Sequence, residues 1–179
     1  MRCPRSATVV LVAVSVGVSL VACTPSVRTD VPAVTVDSLV LERTLCYGTC
    51  AAYRLSLGRD GQVAFQSRNP GDEARQVRDT TAAVALSILT SLADSLGFVT
   101  LPDTIANSPA LCPGSATDHP TATVTIFRAG ASKHVVDYLG CFAGFDHSTV
   151  PIVGRLRILE ASIDSLAGSK RWVHPAKRR

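Results

Sequence analysis

The sequence predicts an α+β fold: an antiparallel sheet built from two hairpins, with two helices packed on one of its faces. Three observations carry this expectation. Short segments with period-two apolar alternation occur in pairs, each pair joined by a glycine-containing turn. Two longer stretches, residues 81–96 and 149–167, repeat apolar residues at helical spacing. The elements follow one another as ββ(β)α and then ββα, so neighbouring strands are close enough in sequence to pair antiparallel.

In chain order, Leu39, Leu41 and Leu45 surround Glu42 and Arg43 and suggest a first strand. Tyr53, Leu55 and Leu57 alternate with Arg54 and Ser56 as a half-buried strand does. Gly58-Arg59-Asp60-Gly61 turns the chain, and Val63 and Phe65 return it. Asn69-Pro70-Gly71-Asp72 breaks the chain again. Asp79 or Thr80 is placed to cap a helix over 81–96, with Ala85, Leu89, Leu92 and Leu96 on its apolar face, Ile88 widening it and Gly97 as its stop.

A polar, proline-containing loop spans 101–120. Ala122, Val124 and Ile126 then alternate with Thr123 and Thr125, and residues 129–132 turn the chain. The return strand runs from Lys133 to Leu139, with Val135, Val136 and Tyr138 as packing candidates. Ser148 or Thr149 is expected to cap the last helix, with Pro151 in its first turn. Its buried face is read as Ile152, Leu156, Leu159 and Ile163. Arg155, Arg157, Glu160 and Asp164 are expected in water, with Arg157 and Glu160 spaced to pair at i, i+3.

The chain has 179 residues, room for one domain with one core. Only 5% of residues are aromatic, so that core rests on Leu, Val, Ile and Ala. Residues 1–22 read as a lipoprotein signal peptide: Arg2 and Arg5, an uncharged apolar run from Ala7 to Ala22, then Leu20-Val21-Ala22-Cys23, which resembles a lipobox. Cleavage before Cys23 leaves a cysteine that carries the lipid, and two or three acyl chains anchor stably where one does not. Residues 23–35, with Pro25 and Pro32, read as the acylated cysteine and a tether. Residues 36–168 form the α+β domain and 169–179 a basic C-terminal tail. The expected address is the cell envelope, and Thr24 favours the outer membrane, facing the periplasm, where there are two membranes.

The net charge of +4 is uneven. Between Thr24 and Ser169 there are 11 Lys/Arg against 14 Asp/Glu, so the body is mildly acidic. A nucleic-acid partner, which needs a basic patch on the fold, is not expected. The expected partners are the membrane, through Cys23, and an envelope protein, peptide or glycan.

The residues Leu41-Glu42-Arg43-Thr44-Leu45-Cys46-Tyr47-Gly48-Thr49-Cys50-Ala51-Ala52-Tyr53, followed by Asp60-Gly61, resemble the opening of a bacterial family catalogued as domain of unknown function 6438. Thr117-Asp118-His119-Pro120 and Val135-Val136-Asp137-Tyr138-Leu139-Gly140 are similar to its second hairpin, and Ile163-Asp164 and Trp172 to its end. The resemblance covers roughly residues 39–173. Ala51 departs from it, standing where the family usually has proline. The resemblance implies a domain and no established activity.

Four cysteines remain beyond Cys3 and Cys23: Cys46, Cys50, Cys112 and Cys141. An even number in an exported domain points to disulfides. Of the three pairings, Cys46–Cys50 with Cys112–Cys141 is preferred, because each pair brackets a local unit. The alternative is a functional dithiol at Cys46 and Cys50, redox-active or holding Cu(I) with His119, His134 or His147. Against it, Cys50 leads into a strand and not a helix, where thiol acidity would be raised.

No serine sits in a Gly-x-Ser-x-Gly elbow, and no phosphate loop or dinucleotide fingerprint occurs. Asp118, Asp137 and Asp146 make a carboxylate pair only if the fold gathers them, and Tyr53 and Tyr138 read as sheet residues. The sequence therefore assigns no catalytic residue, no metal ligand and no cofactor. It favours a non-enzymatic binding module.

Overall fold

The first strand, β1 (Val36–Arg43), lies in the interior of the sheet, with a hairpin of the domain on either side of it. The computed structural model describes residues 36–144 and 148–176. After β1 come β2 (Tyr53–Gly58), β3 (Gln62–Ser67), β4 (Gln76–Thr80), α1 (Ala85–Ser95) and β5 (Gly114–Ser115). They are followed by β6 (Thr121–Arg128), β7 (Ala131–Tyr138), β8 (Cys141–Phe142) and α2 (Pro151–Ala167). Among the described residues, six strands form one antiparallel sheet in the order β4-β3-β2-β1-β6-β7, and β5 pairs with β8. The α+β class and the antiparallel sheet therefore hold.

Alternation sets the two faces. Leu39 and Leu41, Tyr53, Leu55 and Leu57, Val63 and Phe65, Ala122, Val124 and Ile126, and Val135 point inward and are buried. The helices cover this face. Leu86, Leu89 and Ala93 of α1 join the core, as do Val153, Leu156, Leu159 and Ile163 of α2. Burying these side chains is the dominant stabilising term, at roughly 1.5–3 kcal/mol for each Val, Leu, Ile or Phe.

Four points of the sequence reading of the sheet need correction. Strand β4 reads Gln-Val-Arg-Asp-Thr, with Val77 as its one apolar residue, and the polar run concealed it. At a sheet edge a strand has a neighbour on one side only, so little apolar surface suffices. Leu45 lies beyond the end of β1 and is exposed. On β7, Val135 and Asp137 are buried and Tyr138 packs partly buried against the core, while Val136 stays outside it. The turn between β6 and β7 is shorter than expected: Ala129 and Gly130, both at positive φ, connect Arg128 directly to its partner Ala131.

The helices also shift. Helix α1 begins at Ala85 with no side-chain cap. Asp79 instead accepts the Thr80 amide and pairs with Arg171, and Thr81 is held by Gly61 O and Leu166 O. Ile88 is 50% exposed and Leu86 is buried in its place. Gly97, at φ +74°, does end the helix in the left-handed region. Helix α2 has Pro151 at its first turn, but no side chain caps it. Val153 takes the buried place expected of Ile152, and Glu160 is buried.

The chain stays packed beyond α2. Trp172 lies against Phe65 with ring centroids 5.7 Å apart, Asn69 Nδ2 donates to His174 O, and Ala176 is buried. At the β7 edge, Val136 donates to Asp103 O, so the segment before it covers that edge.

Candidate functional site

Antiparallel register divides the loops between two ends of the sheet. At one end lie Val36, where the described domain begins, the Arg59–Asp60 turn and the Ala129–Gly130 turn. At the other end, Arg43 pairs with Tyr53 and with Ala122, and Thr121 with Tyr138. The loops at this second end are 44–52, 68–75, 116–120 and 139–144.

Both disulfides sit at this second end. Cys46 is bonded to Cys50, with Cα atoms 5.5 Å apart, and Cys112 to Cys141, with Cα atoms 5.0 Å apart. The first closes the tip of the 44–52 loop. The second ties the 108–115 segment to the chain leaving β7, next to the β5–β8 pair. The loops are also joined to each other. Tyr47 N donates to Asp118 O, and Thr44 exchanges hydrogen bonds with Thr121. Tyr138 Oη donates to Ala116 O and receives His119 N. The outcome is a surface of short, cross-linked loops from which Tyr47 projects, 90% exposed.

Beneath these loops lies a network of charged side chains. Arg43, on the inward face of β1, reaches α2. Its Nη2 is 3.0 Å from Asp164 Oδ2 and its Nη1 3.4 Å from Glu160 Oε2. Tyr53 Oη donates to Asp164 Oδ1 at 2.6 Å and accepts from Arg43 Nε at 3.0 Å. Ser169 Oγ also donates to Asp164 Oδ1. On the β7 side, Arg157 Nε donates to Asp137 Oδ2 at 2.9 Å, and its Nη2 to Tyr138 O and Cys141 O. The contacts at 157, 160 and 164 step across β7, β1 and β2, so they fix how α2 crosses the sheet.

This overturns the reading of α2 as a helix with a solvated charged face. Arg157 does not pair with Glu160; it pairs with Asp137. Glu160 is 2% exposed and its Oε1 has no hydrogen-bond partner among the described residues. Burial, and next the Asp137 carboxylate, push its carboxyl up to about 8, against the pull of Arg43 and Arg157. At neutral pH Glu160 therefore carries a proton, and its contact with Arg43 is a hydrogen bond and not an ion pair. Burial and Asp164 likewise push the Tyr53 phenol well above its usual range.

The sequence did carry a signal for this network. Glu160 stands at i+4 from Leu156 and i−3 from Ile163, on the apolar stripe itself. Arg43 and Asp137 each stand two residues from an inward apolar residue on their strands.

The other sequence candidates are dispersed. His119 lies exposed on the 116–120 loop, and His134 exposed on the face of β7 opposite the helices. Cys23, Asp146 and His147 lie outside the described residues. Asp118 is on the loop surface and Asp137 in the network. Among the described residues no three His, Cys, Asp or Glu side chains come together as a metal site. The sulfurs of Cys46 and Cys50 are bonded to each other and in this state offer no thiolate.

A family model described as a domain of unknown function (DUF6438) matches residues 37–152, well over half of the chain. The chain belongs to this family. No curated protein matches it. The match takes in both disulfides, the loops at their end of the sheet and the sheet-side members of the network, Arg43, Tyr53 and Asp137. It ends at Ile152, before the helix-side members Arg157, Glu160 and Asp164.

Proposed function

We propose that this member of the family is a cell-envelope lipoprotein, attached through Cys23 and acting as a non-enzymatic binding module for an envelope protein, peptide or glycan. In bacteria with two membranes, the outer membrane facing the periplasm is its place. The observation that supports this reading most is the separation of the two ends of the sheet. The tether runs into β1 at Val36, and the loops closed by Cys46–Cys50 and Cys112–Cys141 are at the opposite end. Rigid loops cost little entropy to order on binding, which is what a recognition surface needs. An eight-residue strand separates the two ends by roughly 27 Å, so the loops lie at the end of the sheet away from where the chain enters it.

The experiment uses the full chain in its native envelope. Photo-reactive residues are placed at Thr49 in the disulfide loop, at Ser56 on the uncovered sheet face, and at Arg59 in the turn near the tether. A discrete adduct from Thr49 or Ser56, absent from Arg59, is the result expected of a binding module. No adduct from any position overturns the reading.

A further inference from the structure

The surface that binds can be narrowed to one loop, on the premise that the chain is a binding module. Leu45 and Tyr47 flank Cys46 and are 40% and 90% exposed. Exposure alone does not single them out, since Val84, Ile88, Val99 and Ile158 are 50–59% exposed and scattered apolar residues are normal on a surface. Two further features separate this pair from the exposed apolar residues of the helices.

The backbone beneath it is locked. At the tip, the Cys46–Cys50 bond closes the loop, and Gly48 N donates to Cys46 O. On the side, Tyr47 N is fixed to Asp118 O. At the base, Arg43 and Tyr53 are register partners whose side chains are bonded to each other and to Asp164. Tyr47 is thus presented by a backbone held at three levels while its own side chain is exposed.

The rim is acidic. Asp118 is exposed, its carboxylate accepts only from Thr117 Oγ1, and no cation pairs with it among the described residues. At this end of the sheet Arg54 and Arg68 are both engaged by Glu42, and Arg43 by Asp164.

We infer that Leu45 and Tyr47 form a preorganised knob that inserts into an apolar pocket of a partner protein, with a basic residue on the pocket rim meeting Asp118. A tyrosine on a rigid loop is the usual anchor of such contacts: a large apolar body, a polar tip and two torsions to fix. A protein fits better than a glycan. The knob projects and offers no groove, and an aliphatic Leu45 has nothing to give sugar hydroxyls. The acidic rim also fits a basic protein surface through charge complementarity.

The test places a photo-reactive residue at position 47 of the anchored full-length chain, with positions 56 and 59 as references. The competitor is a synthetic peptide of residues 44–51, in its disulfide-closed form and in a linear form with serine at both cysteines. The expected result is a protease-sensitive adduct at position 47. The closed peptide should abolish it at a concentration at least tenfold below the linear one, and Asp118→Lys should reduce it severalfold. Leu45→Ser should do the same without changing the melting temperature, as both residues are exposed.

An adduct that resists protease and yields to glycan-cleaving enzymes overturns the inference, as does equal competition by the two peptides. An adduct from position 56 alone also overturns it but leaves the binding-module reading standing. No adduct at any position removes both.

Discussion

Tyr53 and Asp164 meet at 2.6 Å although 111 residues separate them. Asp164 also takes the Arg43 guanidinium and the Ser169 hydroxyl, so one carboxylate joins β1, β2 and the segment after α2. The contact closes the base of the 44–52 loop from below, where the Cys46–Cys50 bond closes it from above.

Arg43→Met should test this contact. It keeps most of the packing of the side chain but leaves Asp164 without its cation and Glu160 without its hydrogen-bond donor. Breaking a largely buried pair from one side costs about 3–5 kcal/mol. The urea midpoint should fall accordingly, with an unchanged slope. A midpoint within experimental error of the parent would show that Asp164 is satisfied by Tyr53 and Ser169 alone.

Glu160 gives the protein a pH signature. Its carboxyl is raised in the folded state to about 8, from an ordinary value of 4.5. The folded state therefore holds the proton more tightly than the unfolded chain. The stability this provides is fully present below about pH 4.5 and is lost as pH rises through 8. Glu160→Gln keeps the shape without the titration. Its stability relative to the parent should rise steadily from pH 5 to pH 8 and level off above. A pH-independent difference between the two would place the Glu160 proton elsewhere.

The two disulfides differ in the chain they close. Cys112–Cys141 spans 29 residues and Cys46–Cys50 spans 4. On the chain-entropy account the first contributes about 3–4 kcal/mol and the second about 2. The double substitution of Cys112 and Cys141 by Ala should therefore lower the melting temperature more than that of Cys46 and Cys50. The reverse order would mean that the short loop holds native packing that entropy alone does not describe. Mass mapping of non-reduced peptides from the mature protein checks the pairing directly.

Attachment through Cys23 is testable without the fold. Metabolic labelling with an alkyne fatty acid should tag the full chain and place it in the membrane fraction. Cys23→Ser should abolish the label and leave an unprocessed precursor. Labelling unchanged in Cys23→Ser would remove the lipoprotein reading and leave the domain untouched.

The sheet was largely legible because its signal is local. Leu55 against Ser56, or Val124 against Thr125, declares a face two residues at a time, whatever the rest of the chain does. Strand β4 was not legible, because an edge strand with one apolar residue has almost no period to show. The helices were found, but their buried stripes were shifted. Ile88 and Ile152 are as apolar as the residues that replaced them inside, and only the packing of α1 against α2 chooses between neighbours on a helix.

The sequence by itself determined the α+β class, the hairpin turns and the approximate span of each helix, because propensity and periodicity are properties of neighbouring residues. It also contained Arg43, Asp137, Glu160 and Asp164, but as four charges with no sign that they belonged together. Only the tertiary structure decided that β1 lies between two hairpins, that α2 crosses the sheet above Arg43, and that both disulfides share one end of it. The physical reason is that desolvation and pairing depend on residues more than a hundred positions apart. A local window can place a charge on an inward face, as it does Glu160, but its partner is known only when a distant strand arrives beneath it.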